Sequence, residues 1–418
     1  MSALSNKNIV ASYASFGLIG LLGVTINIFL LSFSGLDVLG RYNYTFAFLI
    51  LASQFCVGGT QFSLLNHSIR FKNRKSELSF IIGSSILVCF FFSIIFAVAS
   101  VLLNNFHYIN IYLSQAKLNS SLFLIAIFLF SVNKIILVFI NSLNLLISYA
   151  FLNALRYIFL FFVIIAFTYL NLLEGFIQDC FLVSETLLLA TLLFFIIFNV
   201  SGIGMPKKRW LMRHLSFGVR GFVGGLLMEI NSKVDVILLG NLLGFHAAGI
   251  YSFAAMITEG FSQVYIVIKN NIDPIFSSYL KLKKNAEISA EILKIRRIYI
   301  PILLIFGIVL ICLFRFIFEW VFNLNSEVIS ESFPSFFILM IGILIASFYR
   351  PFVGLLIQLG KPELYSLVIL ISAILNILLS LTFIPYFGIE GAALSTSIAF
   401  VAESFFLFRL ASITRNRI

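Results

Sequence analysis

The run LFLIAIFLFSVNKIILVFINSLNLL, Leu122–Leu146, holds one ionisable side chain, Lys134, in 25 residues. An α-helix rises about 1.5 Å per residue and the hydrocarbon core of a bilayer is about 30 Å thick, so about 20 apolar residues cross it. In hydrocarbon a backbone amide has no water to bond, so a continuously apolar run satisfies itself as a helix. A membrane β-barrel is excluded, because its strands alternate in polarity over roughly ten residues. Leu78–Leu103 has the same unbroken character.

Outward from this run, the composition repeats the message. The chain has 418 residues, 61% hydrophobic and 11% charged, with a mean hydropathy of +1.08. Soluble domains run near 45–50% apolar and about 25% charged, so a soluble globular protein is excluded. Twelve spans are predicted: Ile9–Phe33, Tyr42–Leu65, Leu78–Leu103, Leu122–Leu146, Leu152–Leu170, Phe181–Val200, Leu215–Leu239, Ala248–Tyr279, Ile298–Phe322, Phe336–Gln358, Leu364–Phe383 and Ala392–Leu410. The first block is too long for the apolar core of a cleaved signal peptide and reads as a span. Cys56, Cys89, Cys180 and Cys312 stand singly in apolar blocks, without CxxC or Cys/His spacing, and read as packing residues. No metal site or cofactor is expected. GxxxxGK[ST] is absent, so ATP is not expected to drive the protein directly.

Charge tests the count, because cytoplasmic loops near span ends carry the Lys and Arg excess. With twelve spans, one side collects Lys7, Arg70–Lys75, Arg156, Lys207–Arg213, Lys281–Arg297, Lys361 and Arg409–Arg417, which is most of the 28 basic residues. The other side holds Arg41 and Lys117 among Asp37, Glu174, Asp179, Glu327, Glu331 and Glu390. The alternation predicts both termini in the cytoplasm. It also accounts for the net charge of +11 without nucleic acid.

A repeat divides the chain. Gly35-Leu-Asp-Val-Leu-Gly40-Arg-Tyr42 returns as Gly244-Phe-His-Ala-Ala-Gly249-Ile-Tyr251, and Ser53-Gln54 returns as Ser262-Gln263. All five identities share one offset. The expected architecture is an all-α polytopic membrane protein of two six-helix lobes, residues 1–205 and 206–418, related as a parallel repeat. Transporters use such repeats, with the substrate path where the halves meet.

The segments Gly35–Tyr42, Asn231-Ser-Lys-Val-Asp235 through Gly240-Asn-Leu-Leu-Gly244 to Tyr251, and Gly360-Lys-Pro through Asn376 to Ile384-Pro-Tyr-Phe-Gly388-Ile-Glu-Gly391 resemble the polysaccharide exporters. These are the O-antigen and capsule repeat-unit flippases of the multidrug/oligosaccharidyl-lipid/polysaccharide exporter superfamily. The resemblance covers the chain, best in its second half, and specifies a substrate poorly. It implies alternating access and transport of an undecaprenyl-pyrophosphate-linked oligosaccharide across the bacterial inner membrane. A polysaccharide polymerase and a chain-length regulator are the partners it suggests.

Such a cargo needs polar groups at depth, and a charge inside a span marks an interior or aqueous path by default. The cations within blocks are Lys134, Arg220, Lys233, Lys269, Arg315 and Arg350; the acids are Glu185, Glu229, Asp235, Glu259, Asp273, Glu319 and Glu403. Lys134 and Asn141 lie two turns apart on one helix face, with Asn144 near it, as either a cavity wall or a helix–helix seam. Arg350, in Tyr349-Arg350-Pro351, stands where proline disrupts a helix. Substrate binding is therefore expected of Lys134, Asn141, Arg220, Lys233, Lys269 and Arg350. Buried Asp235 and Glu259 are the candidates for ion coupling. Glu229 with Lys233, and Arg315 with Glu319, have the spacing of intrahelical pairs. Gly221, Gly224 and Gly225 would admit a close neighbour. The alternatives are a multidrug antiporter of the same superfamily, favouring an acidic cavity, and a membrane glycosyltransferase or polymerase, which needs a larger external loop. A lipid II flippase of that superfamily typically carries fourteen spans, two more than fit here.

Overall fold

A computed structural model describes residues 6–104, 121–200, 202–282 and 284–416. Lys117, Lys283 and Arg417 lie outside the described residues, as do the side chains of Lys7, Glu174 and Lys281. Among the described residues the regular structure is helical, with no strand: α1 (Asn6–Val57), α2 (Thr60–His67), α3 (Lys75–Asn104), α4 (Ser121–Ser142), α5 (Leu146–Tyr169), α6 (Leu173–Asn199), α7 (Lys208–Leu242), α8 (Phe245–Lys281), α9 (Asn285–Phe316), α10 (Ser326–Ala346), α11 (Leu355–Gln358) and α12 (Pro362–Asn416).

Straight helices of 52 and 55 residues, as α1 and α12 count, would be about 80 Å long, far more than the core they cross. Each is broken near its middle by a glycine. Gly35 has φ 82°, ψ −179°, and Gly388 has φ 62°, ψ −133°. Each helix thus supplies two crossing-length rods. Among the described residues eight helical stretches are long and apolar enough to span, α1 and α12 among them. The more polar α7 and α8, of 35 and 37 residues, also have crossing length. That makes twelve rods among the described residues, matching the twelve predicted spans in number: the chain is an all-α polytopic membrane protein.

The repeat is visible in the backbone. Gly244, the counterpart of Gly35, has φ 90°, ψ 178°, the same glycine-only region. Tyr42 and Tyr251 are both buried. A Cβ at Gly35 or Gly244 would meet nothing within 4 Å, so the cost of alanine there is the backbone strain alone, about 1–3 kcal/mol. Gly35→Ala and Gly244→Ala are each expected to lower the unfolding temperature of the purified protein. Gly224→Ala, helical and equally open, is expected to be neutral or stabilising. Equal melting of all three would contradict the strain.

The chain forms two compact units, Met1–Glu229 and Ile230–Ile418, and the division falls inside α7. In the first unit α4 packs on α1, α3 and α6. Two-thirds of its most apolar window (67%) is buried, against 17% for α3, so α4 is the enclosed helix and α3 the outer one. The first turns of α7 belong to this unit. Trp210 donates to Glu77 (2.9 Å), and His214 sits between Ser63 Oγ (2.9 Å) and the Ile81 carbonyl (3.1 Å). A Cβ at Gly59 would strike the Gly218 backbone, and one at Gly221 or Gly225 would strike Phe62 or Gln54. The expected close approach thus holds for Gly221 and Gly225, whereas Gly224 faces open space. In the second unit α10 lies against α8 and α12, around a cluster in which the Phe314 and Phe336 rings stack at 4.3 Å. Cys56, Cys89 and Cys180 are buried as expected of packing residues; Cys312 is exposed on α9 and packs in no core.

Candidate functional site

In the first unit α4 carries Lys134 deep among apolar side chains. Its Nζ donates to Gln54 Oε1 on α1 (2.7 Å) and to Glu229 Oε1 on α7 (3.3 Å). Gln54 is buried, and its amide lies directly over Gly225. The close approach of α7 thereby sets the amide that holds the ammonium. The Lys134 and Glu229 side chains keep 22% and 31% of their surface exposed, so the pair can meet a ligand. Asn141 is half-buried one residue from the end of the helix. Asn144 lies beyond that end with φ 59°, off the helix face assigned to it. Arg220 is exposed and forms no ion pair or side-chain hydrogen bond among the described residues.

A second cluster in this unit was misplaced by the charge pattern. Arg156, grouped above with the loop cations, lies within α5 and is buried. Its Nε is 2.9 Å from Glu185 Oε1 on α6. Asn133 donates to the Glu185 carboxylate and backbone carbonyl, both at 2.8 Å, and the guanidinium lies 4.1 Å over the Phe130 ring. This enclosed set is a structural tie between the helices, although Asn133 Oδ1 and Arg156 Nε have no hydrogen-bond partner of their own. A cation inside a span opposite an acid inside the next was the available signal.

In the second unit Lys233 reaches Glu259 (3.5 Å), so the member of the presumed intrahelical pair has a partner on α8, just as Glu229 has one on α4. Glu259 is exposed, with 59% of its side chain accessible, and the expectation that it is a buried carboxylate fails. Asp235 is buried. It accepts from the Val236 amide (2.8 Å), from the Tyr251 hydroxyl and from Thr396 Oγ1 (3.3 Å). The repeat tyrosine is therefore a ligand of the acid. In the first unit Asn43 donates to Asn27 (2.8 Å) across the two rods of α1, a tie that carries no charge.

The backbone at Arg350 is more broken than a kink. The helix α10 ends at Ala346, a single 3-10 turn spans Arg350–Phe352 with Pro351 in it, and α11 follows. Proline lacks the amide that an α-helix needs at that point. Arg350 Nη1 is 2.6 Å from Glu403 Oε1, whose other oxygen accepts from Asn231 (2.8 Å). Nearby, Lys269 pairs with Asp273 (3.0 Å). Arg350 and Lys269 line one cavity of about 210 Å³, with Ser262, Tyr265, Tyr365 and Phe400. The structure thus brings together two of the predicted cations. Arg315 and Glu319 form the expected pair, 2.7 Å apart at the end of α9.

No protein-family model matches the sequence, and no curated protein aligns with it. The likeness is structural. The chain shares its fold with transporters of the multidrug/oligosaccharidyl-lipid/polysaccharide exporter superfamily. It is similar to the lipid II flippase MurJ in an inward closed conformation, with a TM-score of 0.74 at 16% identity over 98% of this chain and 88% of that one. It is similar to an inward-facing multidrug resistance MATE family transporter, with a TM-score of 0.75 at 13% identity over 96% and 95%. A superfamily transporter from Pyrococcus furiosus Vc1 gives 0.62 at 14% over 98% and 96%.

Proposed function

We propose that the chain is a flippase that moves an undecaprenyl-pyrophosphate-linked oligosaccharide, an O-antigen or capsule repeat unit, across the bacterial inner membrane by alternating access. Its likeness to a lipid II flippase and the exporter-like segments support this, and one observation carries it. Polar chemistry is built at depth in both units as mixed cation–acid sites, Lys134–Glu229 and Arg350–Glu403. A cargo rich in hydroxyls and phosphate oxygens needs donors and acceptors together, whereas an organic cation needs acids alone. Ion coupling is assigned to Asp235, the one of the two candidate acids that is buried. The polymerase and chain-length regulator are the proposed partners, and the proposed lobes are 1–205 and 206–418.

The multidrug antiporter reading has the equal likeness to a MATE transporter in its favour. Complementation separates the two. In a strain lacking its repeat-unit flippase the chain is expected to restore surface polysaccharide. In a strain lacking its drug-efflux pumps it is expected to give no resistance to cationic dyes. The reverse pattern would replace the proposal.

Both termini are placed in the cytoplasm. On a cysteine-free background an impermeant thiol reagent added outside is expected to label Glu327→Cys and spare Lys208→Cys, both exposed positions. Labelling of Lys208→Cys from outside would invert the topology.

A further inference from the structure

The cavity of the second unit has a composition that selects among the parts of such a cargo. Its two cations are each matched: Lys269 by Asp273 at 3.0 Å and Arg350 by Glu403 at 2.6 Å. The wall therefore presents two cations whose charges are already balanced by carboxylates that do not line the cavity. A diphosphate offers acceptors only, and it would have to displace both resident carboxylates or sit beside them. The remaining hydrogen-bonding capacity is of mixed type. An ammonium has three N–H donors and a guanidinium five, so both cations keep donors free of their acids. Ser262 and Tyr365 add hydroxyls to the wall, each able to accept as well as donate. Tyr265, Tyr365 and Phe400 add aromatic surface, with Phe400 stacked under the Arg350 guanidinium at 4.0 Å. Tyr265 is anchored by its bond to the Ile343 carbonyl (3.0 Å).

Size narrows the choice further. The cavity volume is about 210 Å³. It falls below the roughly 300–1,000 Å³ of sites for drug-sized ligands. One ring fits within it, and the rest of a longer glycan would lie outside its open side. The ligand must both donate and accept hydrogen bonds, present apolar C–H faces to aromatic rings, and carry no net charge. A pyranose ring meets all three conditions.

We infer that this cavity is a subsite for one neutral sugar ring, formed within the second unit by Lys269, Arg350 and Tyr365, and that it does not receive the diphosphate. The inference rests on the proposed flippase function and names the part of the cargo held there. Arg350 then acts as a planar donor to ring hydroxyls, with Glu403 fixing its fork.

Saturation-transfer NMR on the full chain in lipid nanodiscs tests it. The probes are methyl glycosides of neutral hexoses and N-acetylhexosamines, with methyl glucuronide and inorganic pyrophosphate as anions. Transfer to the ring protons of a neutral glycoside is expected, at the millimolar affinity of a single-ring ligand, undisturbed by pyrophosphate. The double variant Arg350→Gln, Glu403→Gln leaves no stranded charge and keeps an acceptor for Asn231. It is expected to bind about tenfold more weakly, as is Tyr365→Leu, since a factor of ten is one good interaction lost. No transfer from any neutral glycoside, displacement by pyrophosphate, or equal binding by both variants would overturn the inference. Restored surface polysaccharide without glycoside binding removes the subsite and leaves the flippase; glycoside binding without restored polysaccharide does the opposite.

Discussion

Arg156→Ala is expected to remove most of the folded protein from the membrane. The Glu185 side chain is only 3% exposed, and without the guanidinium it keeps Asn133 as its remaining side-chain partner. Breaking a buried pair by deleting one member costs about 3–5 kcal/mol, because the other charge stays buried without compensation. Against a typical total stability of about 5–15 kcal/mol this is a large fraction. The double variant Arg156→Met, Glu185→Gln removes both charges and keeps an acceptor for the Asn133 amide. It is expected to recover most of the abundance. Quantitative immunoblotting of membranes, with size-exclusion profiles of the solubilised protein, reads both. Normal abundance of Arg156→Ala would show that the buried pair contributes little.

Lys134→Glu is expected to abolish transport while leaving more protein in the membrane than Arg156→Ala does. Glu229 is nearly one-third exposed, so an unpaired carboxylate there is better solvated than at Glu185. The reversal sets two acids face to face in the site that holds the cation and turns the field against a phosphate-bearing headgroup. Lys134→Ala, which only removes the ammonium, should act in the same direction and less strongly. A loss of about 1.4 kcal/mol of transition-state stabilisation would slow transport roughly tenfold. The charge swap Lys134→Glu, Glu229→Lys separates the two roles of the pair. It is expected to restore abundance without restoring surface polysaccharide, since the ammonium then stands on α7 instead of α4. Full transport by the swapped protein would make Lys134 a packing partner of Glu229 and nothing more.

The rods were legible because a span obeys a local rule: enough apolar residues in a row, then a polar interruption. Gly35 and Gly388 break α1 and α12 where the blocks had been parted. Gly244 declared itself through its spacing from Gly35, and the two share one backbone conformation. The charged residues inside spans were legible as a set, and Lys269 and Arg350 meet at a cavity. Their partners were not. Lys134 and Glu229 are 95 residues apart, Arg350 and Glu403 are 53 apart, and Arg156 and Glu185 are 29 apart. No helical period relates such positions; only the packing of rods does. The spacing of Glu229 and Lys233 suggested a local pair, yet each also has a partner on another helix. Arg156 was sorted by its nearness to a loop, when the acid that holds it lies in the next span. The exposure of Glu259 followed from which face of α8 is covered, a tertiary fact absent from its neighbours in the chain.

Transport of the lipid-linked cargo by the purified chain tests the central claim most directly. The full chain is reconstituted into liposomes carrying undecaprenyl-pyrophosphate-linked oligosaccharide in both leaflets, and the glycan accessible to an impermeant oxidant is followed with time. The account predicts oxidation of nearly all the cargo with wild-type protein, of only the outer-leaflet half without protein, and of little more than that half with Lys134→Glu at equal reconstituted amounts. Wild-type protein that leaves the inner half protected, with or without an imposed proton or sodium gradient, would contradict it.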